Sequence, residues 1–349
     1  MTHPWEKSYP KGLEWDQEII SQPIYNLLDQ TAETFPDNTA FNFLGSKMTW
    51  SEINTLSKKM ARGLQRLGVR KGTKVGIMLP NCPYFIIAFY AIARTGATAV
   101  NFNPLYSERE ISYQIEDSAT DIMITLDLGL MYYKLEKMLH STRLNQIVIC
   151  PFTDCLPFPK NMLFKLFKGK ERARIPNNDR HLFYDVLIDN SGKLDPVEIN
   201  PDEDVALFQY TGGTTGVPKA AQLTHTNISA NVEQVAAWLP GARPGVDKML
   251  GVLPFFHVFA MTVVMNLSVK SGFEIIATPR FDLEDTLKII DKEKPQLFPA
   301  VPAIYSAINN HKKRTQYDLT SLRTCVSGGA PLPVEVKKTF EKKTGCVVV

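Results

Sequence analysis

The sequence has no CxxC pair and no Cys/His spacing that suits a metal, although five cysteines are scattered along it: Cys82, Cys150, Cys155, Cys325 and Cys346. An odd number of thiols without such spacing excludes a disulfide framework and points to a reducing cytoplasm. Excess charge is also lacking. A net charge of +3 spread over 349 residues offers no surface for nucleic acid. The opening "MTHPWEKSYPKG" does not have the basic-then-apolar pattern of a secretory signal. One charge-free run, Met249 to Val269, is long enough to cross a bilayer, but it contains Pro254, His257, Asn266 and Ser268. Polar groups are costly in hydrocarbon, so a buried core segment is expected there, opening as a strand that runs into a loop.

What is present is ordinary globular composition, 44% hydrophobic and 21% charged, in a chain longer than one core usually serves. Apolar, strand-like runs open near Lys74, Thr98, Ile122 and Gln146, one βα unit apart. Between them lie helix-like segments. "PYFIIAFYAIARTG" closes on Gly96, and "SEREISYQIEDS" opens with a Ser107/Glu110 capping box. A second series follows in "MLGVLPF", "FEIIAT", "QLFPAV", "TCVSGG" and "CVVV", with Asp282 placed as a helix N-cap. "SEINTLSKKMARGLQRLG" reads as an early amphipathic helix ending at Gly68. Strands apolar throughout, alternating with helices, predict an α/β protein of two doubly wound, largely parallel sheets flanked by helices. The expected division is about 71–235 for one unit and 20–70 plus 236–349 for the other. Pro151 to Gly192, rich in Pro, Lys and Asn, is expected to be an irregular inserted loop.

The stretch with most chemistry is "QYTGGTTGVPKAAQLTH", Gln209 to His225. Its glycines let a backbone approach a ligand closely, consecutive amides form an anion-binding concavity, and threonine hydroxyls with Lys219 add donors and charge. That suits a polyphosphate. It is not the ATPase P-loop, which needs glycine immediately before the lysine, where Pro218 stands here. The flanks "VALFQY" and "AAQLTH" both look extended, so the loop caps a strand pair. On composition alone a Gly/Thr-rich hairpin turn with a surface lysine remains open.

"YTGGTTGVPK" followed by "LTHTN" closely resembles the phosphate-binding motif of the adenylate-forming superfamily of acyl-CoA synthetases, luciferases and peptide-synthetase adenylation domains. Ala220 stands where that family more often has glycine. "LPFFHVFAM" resembles the segment whose histidine and aromatics border the acyl carboxylate. "VPAIYSAI" looks like the following strand and helix, and "SGGAPLP" is similar to the loop that lies against adenine. "VNFNPLYSEREISYQIEDS" and "NVEQ" are closest to the long-chain fatty acid–CoA ligases. The resemblance runs from about Asp37 onward.

It implies ATP-dependent activation of a fatty acid to acyl-AMP, then thioester formation with coenzyme A. By resemblance, Thr211, Gly212, Gly213, Thr214, Thr215, Gly216 and Lys219 hold the phosphates, and Thr211 lies near Mg²⁺. Gly329, Ala330 and Pro331 flank adenine. His257 sits by the carboxylate, with Phe259 beginning the acyl wall; Lys219 and His257 are the candidate catalytic residues. The substrate expected is an acid of about twelve carbons or more, each buried methylene contributing roughly 0.8 kcal/mol. An aryl or short-chain acid ligase stays open, as does a non-catalytic acyl- or nucleotide-binding relative. The family's Tyr-Gly-x-Thr-Glu motif, ribose aspartate and C-terminal domain lie outside these 349 residues. The expectation is therefore a large N-terminal domain with the small C-terminal domain absent, inactive alone. Two partner questions stay open: a homodimer, and peripheral contact with an anionic membrane through 160–174. There "KNMLFKLFKGKERAR" has a local charge of +5 and, if helical, sets Met162, Leu163, Leu166 and Phe167 opposite Lys165, Lys168 and Arg172.

Overall fold

The computed structural model describes residues 3–10, 12–211 and 218–349. Its strands are β1 (Thr39–Phe43), β2 (Ser46–Thr49), β3 (Lys74–Met78), β4 (Thr98–Asn101), β5 (Ile122–Leu126), β6 (Gln146–Cys150), β7 (His181–Phe183), β8 (Val205–Thr211), β9 (Lys219–Thr224), β10 (Lys248–Gly251), β11 (Glu274–Ala277), β12 (Leu297–Ala300), β13 (Thr324–Ser327) and β14 (Val347–Val348). They form two seven-stranded sheets, in the orders β14-β13-β12-β10-β11-β1-β2 and β7-β6-β5-β3-β4-β8-β9. Only the edge pairs β1–β2 and β8–β9 are antiparallel among the described residues. This is the doubly wound α/β architecture that the alternating pattern predicts.

Local chemistry explains where the helices begin and end. The helix Trp50–Arg66 opens with a Thr49/Glu52 capping box, and Gly68 follows it at φ +85°. Glu108–Ser118 opens with the Ser107/Glu110 box, and Asp282 Oδ1 accepts the Asp285 N–H at 3.0 Å to start Leu283–Glu293. Each side chain satisfies backbone donors that the first turn leaves without partners.

Pro83–Arg94 is buried along its whole length, as a helix apolar on every face up to its last residue must be. It packs on β3 and β4. Phe255 meets Phe85 of this helix edge-on at 5.7 Å and Phe41 of β1 at 6.2 Å, so one aromatic ring joins the helix to the other sheet. Arg94, at the end of the helix, is buried yet fully engaged. It donates to both carboxylate oxygens of Asp29 (2.9 and 3.0 Å), to Asn54 Oδ1 (2.7 Å) and to Ser57 Oγ (3.2 Å). A buried guanidinium is tolerable only with such partners.

Two expectations need correction, and one element was not anticipated. The region 151–192 is not an irregular loop. It contains the helix Lys160–Phe167, and "HLF" forms the edge strand β7 beside β6. Residues 39–49 form the β1–β2 hairpin, which no alternating pattern announced. The helix at 160–167 ends before Arg172, whose guanidinium bonds Asp127 Oδ2 at 2.8 Å, so Arg172 does not share a helical face with Lys165. The charge-free run 249–269 is core, as expected. Beyond its opening strand it is helical from Val258 to Ser271, with a π-helical stretch at Met261–Asn266. Among the described residues no helix is long and apolar enough to cross a membrane.

Candidate active site

In open α/β sheets, ligands bind beyond the carboxyl ends of strands where the strand order reverses. In one sheet the order reverses at β10, flanked by β11 and β12; in the other it reverses at β3, flanked by β4 and β5. Asn81, three residues past β3, joins these two points. Its Nδ2 donates to the carbonyls of Gly251 (3.2 Å) and Leu253 (2.8 Å), and its Oδ1 accepts the Phe255 N–H (2.8 Å). The segment leading to His257 is thereby pinned to the opposite sheet.

Gln209 makes the second tie. It is a buried residue of β8, two positions before Thr211. Gln209 Nε2 donates to the Phe256 carbonyl at 3.0 Å, and its Oε1 accepts from Asn101 Nδ2 at 3.1 Å. Gln114 Nε2 in turn donates to the Asn101 carbonyl at 2.8 Å. A chain of amides therefore runs from the strand entering the threonine-glycine loop to the residue before His257. Sequence reasoning missed Asn81, Asn101 and Gln209. The available signal was a single amide inside otherwise apolar runs, "IMLPNCPYF" and "TAVNF".

The flanks "VALFQY" and "AAQLTH" are both strands, so the loop does cap an antiparallel pair. Thr211 and Lys219 are partners on its last rung, and both are exposed. Thr211 Oγ1 lies 3.5 Å from the Lys219 carbonyl, and Tyr113 OH donates to the Pro218 carbonyl at 3.1 Å. Gly212, Gly213, Thr214, Thr215 and Gly216 lie outside the described residues. His257 is exposed beside the Phe256 ring, centroids 4.6 Å apart. Partial withdrawal from water lowers its pKa, which keeps the imidazole neutral near pH 7.

The loop after β13 closes on the same place. A Cβ on Gly328 would lie 2.6 Å from the Phe259 ring, so Phe259 packs against bare backbone there. Gly329 adopts φ +79°, a conformation that glycine takes without strain, and Ala330 and Pro331 are exposed. The structure thus brings Phe259 to the glycine loop and ties the His257 segment to β8. A cavity of about 470 Å³ opens beside Val326, lined also by Tyr9, Trp15, Val235 and Trp238. Among the described residues no cluster of three His, Cys, Asp or Glu side chains could hold a metal ion. Thr211 offers a single neutral oxygen, so a bound Mg²⁺ would be coordinated chiefly by phosphate oxygens and water.

The model of the AMP-binding enzyme family matches residues 28–349. The chain belongs to that family. It is 44% identical over 346 residues to a long-chain-fatty-acid–CoA ligase of Bacillus subtilis (strain 168), covering 98% of this chain and 61% of that protein. It is 33% identical over 359 residues to one from Yersinia pestis, covering 99% and 62%. The crystal structure of a long-chain-fatty-acid-CoA ligase from Archaeoglobus fulgidus superposes with a TM-score of 0.77 at 27% identity, covering 96% of this chain and 64% of that one. The chain spans about three-fifths of the length of the curated relatives it matches.

Proposed function

We propose that this chain provides the ATP and acyl sites of a ligase that activates a long-chain fatty acid as acyl-AMP and passes it to coenzyme A. The observation that carries the reading is the hydrogen-bonded path from β8 through Gln209 to the carbonyl before His257. It couples a strand pair suited to hold phosphates to a segment suited to border a carboxylate.

A carboxylate is a poor electrophile. Attack of its oxygen on the α-phosphorus of ATP forms the acyl-phosphate bond and breaks the bond to pyrophosphate. Negative charge grows on the departing pyrophosphate, where preorganised donors stabilise the transition state. Lys219 and Thr211, exposed at the mouth of the loop, are assigned that role, with Gly212, Gly213, Thr214, Thr215 and Gly216 supplying backbone amides and hydroxyls. Mg²⁺ would neutralise phosphate charge near Thr211. His257, neutral at pH 7, can donate to or accept from the acid without adding charge. Gly329, Ala330 and Pro331 present backbone to adenine, and Phe259 starts the acyl wall. We assign the cavity between Val326 and Trp238 to the acyl chain.

Pyrophosphate release from ATP with palmitate, followed by trapping of acyl-CoA, tests the reading in the longest form of the protein. Better turnover of benzoate or acetate than of palmitate would overturn the substrate assignment. ATP binding without turnover would favour a non-catalytic nucleotide-binding protein.

A further inference from the structure

The helix Lys160–Phe167 has no buried residue. Phe164 is its anchor, packed edge-on against Phe152 at 5.1 Å. The rest of its apolar surface faces outward. Phe158, Leu166 and Phe167 are 79%, 70% and 75% exposed, and Met162 and Leu163 are also exposed. Tyr133, exposed on the neighbouring helix Gly129–Ser141, adjoins this surface. The Arg174 N–H donates to the Tyr133 hydroxyl oxygen at 3.2 Å, and Leu128 bridges Arg172. Single exposed apolar residues are normal, but a continuous group of them marks a surface that something covers.

Charge indicates what covers it. Lys160, Lys165, Lys168, Lys170, Arg172 and Arg174 surround the apolar residues, with Glu171 the one acid in the segment. Glu171 pairs with Lys168 at 3.2 Å, Asp127 holds Arg172, and the Leu44 carbonyl accepts from Lys160. Lys165, Lys170 and Arg174 are exposed around the apolar tip. Aromatic and aliphatic side chains ringed by lysines match the boundary between acyl chains and anionic headgroups, where the apolar groups insert and the ammonium groups reach phosphate.

We propose that residues 158–174, with Tyr133, form a surface that docks on an anionic lipid bilayer. The surface is independent of the adenylation reading, because none of these residues belongs to the site assigned above.

Flotation with phosphatidylcholine vesicles, with and without phosphatidylserine, tests it. The protein should float only with the anionic vesicles, and less as salt rises. The pair Leu166→Ser with Phe167→Ser, and separately Lys165→Glu with Lys170→Glu, should each lower partitioning by about tenfold or more. Both pairs lie on the surface, so circular dichroism should be unchanged. Failure to float with anionic vesicles at low salt, or flotation undiminished in both variants, overturns the proposal. A lipid-free dimer that disperses on Leu166→Ser with Phe167→Ser would assign the face to a second copy and also overturn it.

Discussion

Gln209 Nε2 and the Phe256 carbonyl oxygen are 3.0 Å apart, and this contact spans the two sheets within reach of both loops that matter. Gln209→Leu leaves the Phe256 carbonyl unpaired in a buried place and Asn101 Nδ2 with only the weak Met261 Sδ acceptor at 3.6 Å, costing about 1–3 kcal/mol. Thermal unfolding should show that loss. Acyl-AMP formation should fall beyond it, with the acid's KM rising more than that of ATP. Unchanged kinetics at lower stability would make the bond purely structural.

Lys219→Ala should slow acyl-AMP formation by about 10²–10³-fold, the usual effect of deleting one strong transition-state donor. Thioester formation from preformed acyl-AMP should be nearly spared, since no pyrophosphate leaves in that step. Equal damage to both half-reactions would remove Lys219 from the phosphate site.

Gly328→Ala places a methyl group where the Phe259 ring lies. Activity should fall, and Phe259→Ala in the same chain should restore part of it by vacating that space. A double variant worse than either single one would show that the two residues do not share the contact.

Val235 lines the cavity beside Val326. Val235→Trp should shorten the space for an acyl chain and shift preference from palmitate toward shorter acids. At roughly 0.8 kcal/mol per buried methylene, excluding two should cost long chains about tenfold in kcat/KM. A chain-length profile that does not move would place the acyl chain elsewhere.

His225 is buried at the start of the helix His225–Ala237, and its Nδ1 accepts the Ile24 N–H at 3.1 Å. Desolvation lowers its pKa to about 4. Between that value and the ordinary 6.5, the unfolded chain binds the proton and the folded chain does not, so stability rises with pH. Stability should therefore drop as pH falls from about 6.5 toward 4, by roughly 3 kcal/mol in total. Denaturant titrations across that window should show the slope, and His225→Gln should flatten it.

The central strands were legible because their side chains are buried on both faces, so they read as unbroken apolar runs. β3 to β6 begin at the residues the pattern marks, Lys74, Thr98, Ile122 and Gln146. The Ser107, Asp282 and Gly68 signals were equally plain, because caps and left-handed turns are local chemistry. β7 and the β1–β2 hairpin lie at sheet edges. Short edge strands owe their conformation to a neighbour remote in sequence, and residues 181–183 have no periodicity to show. Thr211 and Lys219 were singled out by the composition of their loop and its resemblance to the family's phosphate-binding motif. The amides of Asn81, Asn101 and Gln209 were not, because each matters only through a partner on another segment.

The pairing of β1 with β11 joins Phe41 to Ile275, about 230 residues later in the chain. During synthesis at 5–20 residues per second, β1 therefore waits on the order of ten to fifty seconds for its parallel neighbour. All seven strands of the β3–β9 sheet leave the ribosome within that interval. That sheet can form first, while the edge of β1 that pairs with β11 stays without its partner. The period in which a nascent chain needs protection from aggregation is thus set by one early hairpin, far from any ligand.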